Sequence, residues 1–217
     1  MKHPTTQPLG RIITIFTLLL AIPAAAAAHP HIFISMALEF VIKEGKIQGV
    51  YETWTFDRFF SADIIQGYDV NGDGSFNAAE TKDVYDNAFI NTQHYAYFTF
   101  IRQGEKRSSP QKVSNFSVGQ KTGVVFYRFY VDLSHYSGDF YFAVYDYTFF
   151  CDFRYAEPIP ITFIGDASTK KPSYTIAENK KYPVYYDPFD SAEVTPMYDK
   201  WKPGLQTYYP REIHITY

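Results

Sequence analysis

The sequence has 217 residues, 46% of them hydrophobic and 19% aromatic, which is long and apolar enough for one folded domain with a sizeable core. This composition excludes general disorder, and the 20 tyrosines and 20 phenylalanines favour β-strands. The formal net charge of −3 argues against nucleic acid as a partner and supplies no basic patch for an anionic membrane surface.

The N-terminus has the features of an export signal. Lys2 and Arg11 precede an apolar run from Ile12 to Ile22, and Pro23 and five alanines follow. We predict a signal peptide of residues 1–28, cleavage after Ala28 and a periplasmic mature protein. The alternative is an uncleaved membrane anchor, although the run is short for a membrane span. No other run approaches 18 apolar residues, so we expect a mature chain of residues 29–217 that does not span the membrane.

The hydrophobic pattern predicts an α+β fold, an antiparallel β-rich domain with an inserted helix-loop-helix at about 59–98. Apolar residues alternate from Ile32 to Phe40, and "KEGK" at 43–46 separates them from a second strand-like run, which predicts a hairpin. Residues 59–68 and 78–98 have helical patterns. Strands follow in "YFTFIRQG", "GVVFYRFYVDL", "FYFAVYDYTFFCDF" and "IPITFIG", and the tail from Lys170 is expected to be irregular with one edge strand.

The segment between the two predicted helices, "DVNGDGSFNAAE", has the spacing of an EF-hand calcium loop. Ca²⁺ takes about six to eight oxygen ligands, and a loop of this kind supplies them from alternate positions and a final bidentate glutamate. Gly74 occupies the position of the sharp turn. The predicted ligands are Asp69, Asn71, Asp73, the Ser75 carbonyl, Asn77 and Glu80.

A solvated turn that binds no ion is the alternative to this calcium site, but the motif is specific and both flanks are helix-like. The sequence contains no second loop of this kind. We therefore expect a structural ion and not a calcium sensor.

"HPHIFI", residues 29–34, is a second candidate metal site. On a strand, His29 and His31 would share one face, and cleavage after Ala28 would add the free amine of His29 as a donor. Pro30 has no amide proton, which excludes a copper chelate built from consecutive backbone nitrogens. Nitrogen donors suit Zn²⁺, Ni²⁺ or Cu²⁺. The alternative is two ordinary polar residues near a chain terminus, because two histidines alone do not make a closed site.

Further ligands for such a site are not decided by the sequence. Asp57 has an equally simple interpretation as the cap of the helix that follows it. The candidates are His94, His135, His214, Asp57, Asp146 and Asp152.

The sequence gives little indication of an enzyme. It contains no nucleophile-elbow pattern, no HExxH and no phosphate loop. Cys151 is the sole cysteine, and we interpret it as a buried, inert thiol. We predict that the protein is not an enzyme.

Five segments together resemble the bacterial DUF1007 family of exported proteins: "HPHIFI", "ETWTFDRFFS", "DVNGDGSFNAAE", "YAYFTF" and "YDYTFFCDF". Members are described as periplasmic components of transport systems, with genes that often neighbour nickel, cobalt or zinc permeases. The resemblance thus implies a metal-handling accessory protein with a membrane metal permease as its partner. Tyr147 stands where the family pattern has proline, so the role of that segment does not carry over.

Two functions from different classes follow from these observations. The first is a periplasmic metal-binding accessory protein of a transition-metal transport system, with Ca²⁺ in the loop. The second is an adhesive or structural β-domain that uses its aromatic residues to contact protein or glycan, with calcium holding the helical insertion in place.

Overall fold

The computed structural model describes residues 29–165, 172–189 and 196–217, so the predicted signal peptide 1–28 lies outside the described residues. Within these ranges the chain forms thirteen β-strands, two α-helices and one 3-10 helix. The same ranges contain no helix with both the length and the apolar character needed to cross a membrane.

The chain begins with the predicted hairpin. Strand β1 (Ile32–Lys43) and strand β2 (Lys46–Phe56) pair antiparallel. Both turn residues, Glu44 and Gly45, have positive φ, which is the conformation that tight hairpin turns require. The predicted alternation is confirmed, because the even positions of β1 point into the core: Ile34, Met36, Leu38 and Phe40.

Two main sheets organise the fold. The first has the strand order β5 (Ser114–Lys121), β6 (Val124–Asp132), β2, β1, β8 (Cys151–Tyr155), and β9 (Ile161–Gly165) also pairs with β1. The second has the order β10 (Ser173–Glu178), β13 (Arg211–Thr216), β7 (Phe140–Val144), β3 (Thr99–Gln103), β4 (Lys106–Ser108). Strands β11 (Val184–Tyr186) and β12 (Gln206–Tyr208) form a separate antiparallel pair.

Most strand pairs are antiparallel, as predicted, and helices are few. The exceptions are β8 and β9, which lie one after the other along the same edge of β1 and run parallel to it. The α+β, β-rich fold class is therefore confirmed at this level.

The two sheets share one hydrophobic core. The rings of Phe40 in the first sheet and Phe142 in the second meet with their centroids 5.7 Å apart. Trp54 is 1% exposed and packs edge-on against Phe129 and Phe153. Buried aromatic pairs of this geometry add about 0.5–1.5 kcal/mol beyond the burial of their surface.

Helix α1 (Arg58–Tyr68) and helix α2 (Ala78–Asn87) lie on either side of the predicted loop. The second predicted helix was too long, because a 3-10 helix (Phe89–Phe98) replaces its last part. There, the side chains of Asn91 and Thr92 donate hydrogen bonds to main-chain carbonyls three or four residues back. Such side-chain bonds compete with regular α-helical bonding.

Three successive residues at the end of the 3-10 helix adopt a left-handed backbone. Ala96, Tyr97 and Phe98 have φ values of 57°, 50° and 54°. This conformation costs a residue with a Cβ about 1–2 kcal/mol. Tyr97 and Phe98 are buried, so tertiary packing holds the turn that leads into β3.

Residues 145–150 carry the chain from the second sheet to the first, within a segment whose pattern predicts a strand. The Asp146 carboxylate stabilises this interruption of the strand, because it accepts hydrogen bonds from the backbone amides of Thr148 and Cys151, at 2.8 and 3.0 Å. Cys151 is buried, as predicted.

The prediction of an irregular tail with one edge strand was wrong. Four strands follow Lys170, and β13 lies inside the second sheet between β10 and β7. Ile213 and Ile215 are fully buried and hold β13 against the core. The alternating apolar pattern of β13 consists of only these two residues, and the surrounding Tyr, Pro and Asp residues make it hard to recognise in the sequence.

Candidate functional site

The twelve-residue loop 69–80 lies between two helices, as its motif requires. Asp69 is the C-terminal cap of α1, and Asn77 is the N-terminal cap of α2. The Asn77 Oδ1 accepts from the amides of Ala79 and Glu80, at 2.9 and 3.1 Å. Asn77 and Glu80, the last two predicted ligands, therefore also form the start of α2.

Glu80, the last residue of the loop, turns inward across it. Its side chain is buried at 4% exposure. One carboxylate oxygen accepts from the amides of Val70 and Asn71, at 3.0 and 3.3 Å, and the other accepts from the amide of Asn77 at 2.9 Å. A single carboxylate thus joins Val70 and Asn71, near the start of the loop, to Asn77, near the start of α2.

The remaining loop carboxylates point toward the loop backbone. The Asp69 Oδ2 accepts from the amide of Gly74 at 3.1 Å, and Gly74 has a φ of 81°, which a residue with a Cβ rarely adopts. Asp73 accepts from both the hydroxyl and the amide of Ser75, and these bonds, with one from the Asn71 side chain, hold the pKa of Asp73 below its usual value.

The donor chemistry of the loop fits Ca²⁺. The Asp69 Oδ1 is buried and has no hydrogen-bond partner among the described residues. A buried carboxylate oxygen without a donor costs free energy that a cation would offset. In residues 29–165, 172–189 and 196–217, no three His, Cys, Asp or Glu side chains are grouped closely enough to hold a metal ion.

The structure brings the two predicted histidines together. Their rings meet edge to face with centroids 4.7 Å apart. They precede β1 and do not lie on it, because that strand begins at Ile32. His29 is buried, whereas His31 is exposed and stacks on Phe150, whose carbonyl accepts from the His31 amide at 2.9 Å.

Two of the proposed additional ligands have structural partners. Asp57 caps α1, as the alternative interpretation held, with one oxygen 2.8 Å from the Phe59 amide and the other 2.8 Å from the Phe33 amide. Asp152 is buried and pairs with Arg154 at 2.7 Å. The third aspartate, Asp146, stabilises the turn at residues 145–150 through its hydrogen bonds with Thr148 and Cys151.

The other histidines of the described residues lie on different elements. His214 is in β13 of the second sheet and stacks on Tyr141 at 4.1 Å. His94 is exposed in the 3-10 helix, and His135 is exposed between β6 and β7.

Sequence reasoning missed Glu52, a buried carboxyl in the centre of the first sheet. It is 0% exposed and lies 3.0 Å from the Trp54 indole nitrogen and 2.8 Å from the Thr99 hydroxyl. Burial raises the pKa of Glu52 to about 8. The signal in the sequence is its position, because Glu52 stands in phase with the inward-facing Val50 and Trp54.

The Thr99 hydroxyl donates to the Glu52 carboxyl group at 2.8 Å and also lies 2.8 Å from the Tyr97 carbonyl. A hydroxyl has one hydrogen, so it donates fully to one of these two acceptors at a time. A protonated Glu52 could itself donate to the Thr99 oxygen while that hydrogen goes to Tyr97, and all three groups would then be satisfied.

Comparison with known proteins gives one family and one relative. The family model described as "Protein of unknown function (DUF1007)" matches residues 14–217. An uncharacterized 15.5 kDa protein in the trpE 3' region of Spirochaeta aurantia is 30% identical over 101 residues, which is 45% of this chain and 72% of that protein. No solved structure matches.

Proposed function

The chain belongs to the DUF1007 family, and we propose that it is an exported metal-binding accessory protein of a transition-metal transport system. In this proposal the loop 69–80 holds a structural Ca²⁺, and His29 and His31 bind Zn²⁺, Ni²⁺ or Cu²⁺ for a membrane permease. The protein performs no catalysis of its own. The observation that carries the proposal is the contact between the two histidine rings, 4.7 Å apart at their centroids.

The surroundings of the histidines support a metal site. One ring is buried and one is exposed, so an ion held between them would be both anchored and reachable from solvent. The backbone also supports this arrangement, because the amide of His31 is fixed on the Phe150 carbonyl. Removal of residues 1–28 would convert the amide of His29 into an amine, which adds a third nitrogen donor.

In this proposal the calcium loop stabilises the same domain but lies apart from the two histidines. Three carboxylates in one short loop repel one another, and an ion relieves that repulsion while it fixes α1 against α2. At a free Ca²⁺ concentration about a hundredfold above the dissociation constant, binding adds about 2.7 kcal/mol to the free energy of unfolding. Calcium would therefore stabilise the helices without switching them.

Titration calorimetry of the processed protein with Zn²⁺ and Ni²⁺ tests the histidine site. We expect the double variant His29→Ala/His31→Ala to lose binding, while His135→Ala, an exposed histidine elsewhere, binds as the wild type does. Equal affinity in the double variant and the wild type would refute the site. N-terminal sequencing of exported protein checks the start at His29.

Thermal unfolding with and without Ca²⁺ tests the loop. We expect Ca²⁺ to raise the melting temperature of the wild type and of Asp63→Asn, whose carboxylate is exposed on α1 outside the loop. Glu80→Gln should lose this increase, because an amide supplies one oxygen where the carboxylate supplies two. A wild-type melting temperature that chelation leaves unchanged would mean that the loop is only a polar turn.

One observation favours the alternative of an adhesive domain. Phe33 and Phe59 are 46% and 88% exposed, and the backbone amides of both donate to the carboxylate of Asp57, so two residues with exposed apolar side chains have neighbouring backbones. Under this alternative, neither Zn²⁺ nor Ni²⁺ would bind, and Phe33→Ser/Phe59→Ser would abolish adhesion to a protein or glycan surface.

A further inference from the structure

A cavity of about 380 Å³ lies between the first sheet and the helical insertion. Strands β1, β2 and β6 line one side, α1 and the 3-10 helix line the other, and residues 145–151 close one end. Its volume is in the range of pockets that bind small molecules, about 300–1,000 Å³.

The walls are mainly apolar and aromatic. Trp54, Phe56, Phe60 and Phe98 line the cavity together with aliphatic residues of β1 and α1. Flat rings on several sides favour a flat, apolar molecule over a hydrated one.

Tyr127 adds its ring to the wall but no accessible polar group. The residue is 2% exposed, and its hydroxyl oxygen is buried without a hydrogen-bond partner among the described residues. Burial raises the pKa of Tyr127, so the hydroxyl stays neutral and adds no charge to the site.

The charges around the cavity select against ions. The lining residues include no lysine or arginine, so an anion has no counter-charge among the described residues. Asp146 is the one carboxyl in the wall, and Thr148 and Cys151 already donate to it. A cation would have to displace these bonds.

We propose that this cavity is a binding site for a neutral, flat aromatic molecule that packs against the aromatic rings of the wall. Asn91 and Tyr95 are exposed where the 3-10 helix borders the cavity, and they form the entrance. The site does not depend on either metal site and would remain if both were absent.

Prodan, a neutral naphthalene ketone whose emission moves to the blue in apolar surroundings, is a suitable probe. We expect saturable binding with a blue shift in the full protein.

Ala88→Phe tests occupancy of the cavity, because Ala88 lines it at the end of α2 and a phenyl ring would fill it. We expect this variant to lose Prodan binding. Lys82→Phe is the matched control, since Lys82 is exposed on the same helix outside the cavity, and it should bind as the wild type does. If Ala88→Phe does not fold, Thr92→Phe blocks the same cavity from the 3-10 helix.

Two results would overturn the proposal. Prodan binding that does not saturate, or that survives in the folded blocking variant, would place the probe on the surface and not in the cavity.

Discussion

Replacing Glu52 by glutamine separates the charge of this carboxyl group from its shape. A glutamine amide can donate to the Thr99 hydroxyl, as a protonated carboxyl does, and its oxygen can accept from the Trp54 indole. The buried chain of hydrogen bonds that ends at the Tyr97 carbonyl is then preserved, while the ionisable group is removed.

The raised pKa of Glu52 makes the stability of the wild type depend on pH. Below pH 4.5, the ordinary value for this group, the folded and unfolded states both hold the proton and stability is highest. Between pH 4.5 and about 8 the unfolded state loses the proton while the folded state keeps it, so the free energy of unfolding falls as the pH rises. Above about pH 8, the ionisation of Glu52 no longer makes the free energy of unfolding change with pH.

The size of this effect follows from the pKa. Each pKa unit corresponds to about 1.36 kcal/mol, so burial of Glu52 costs on the order of 3 kcal/mol at pH 7 and on the order of 5 kcal/mol above pH 8. Urea denaturation of wild type and Glu52→Gln at pH 5, 6, 7 and 8 measures the difference directly. We expect similar stabilities at pH 5 and a glutamine variant that is increasingly more stable toward pH 8.

The matched control is Glu178→Gln, the same substitution at an exposed position of β10. Its stability should differ from that of the wild type by the same small amount at every pH. A difference between wild type and Glu52→Gln that does not grow with pH would refute a buried, protonated Glu52.

Three further predictions follow from the structure. Asp57→Ala should cost about 1–2 kcal/mol in urea denaturation because it removes the cap of α1, while Asp57→Asn should cost less; equal losses would show that capping is not the main role of Asp57. Burial raises the pKa of Cys151 well above its ordinary value, so iodoacetamide at pH 8 should label the thiol much more slowly in the folded than in the unfolded protein, as measured by mass spectrometry; equally rapid labelling of the folded protein would contradict the raised pKa. Ala96→Gly should stabilise the protein by up to about 1 kcal/mol, because the left-handed penalty exceeds the added entropy of glycine in the unfolded chain; destabilisation would mean that the Ala96 methyl group has a packing role.

Features set by neighbours in the chain could be predicted from the sequence. The hairpin of β1 and β2, the cap at Asp57 and the position of the loop between two helices each depend on a few consecutive residues. Local turn chemistry and the alternation of apolar residues determine them, so the sequence carries their signal directly.

Features set by residues distant in the chain could not be predicted in this way. The position of β13 inside the second sheet depends on pairing with β7, and two buried isoleucines are too short a pattern to indicate it. The cavity depends on β1, β6 and the 3-10 helix meeting in space, so Tyr127 has no neighbour in sequence that marks it as unusual. Glu52 is an intermediate case, because its phase in β2 is visible but its partner Thr99 is not.

The strand order also determines how much of the chain must be present before both sheets can be completed. Strand β1 needs β8 and β9 to complete its second edge, and β7 needs β13, so each sheet joins early and late parts of the sequence. Pairing across such distances is slow, and a chain made only as far as β7 exposes strand edges on both sheets that can pair with other molecules. Deletion of residues 211–216 would therefore not remove a peripheral strand, because it would separate β10 from β7 and leave an edge of β7 open to pairing with other molecules.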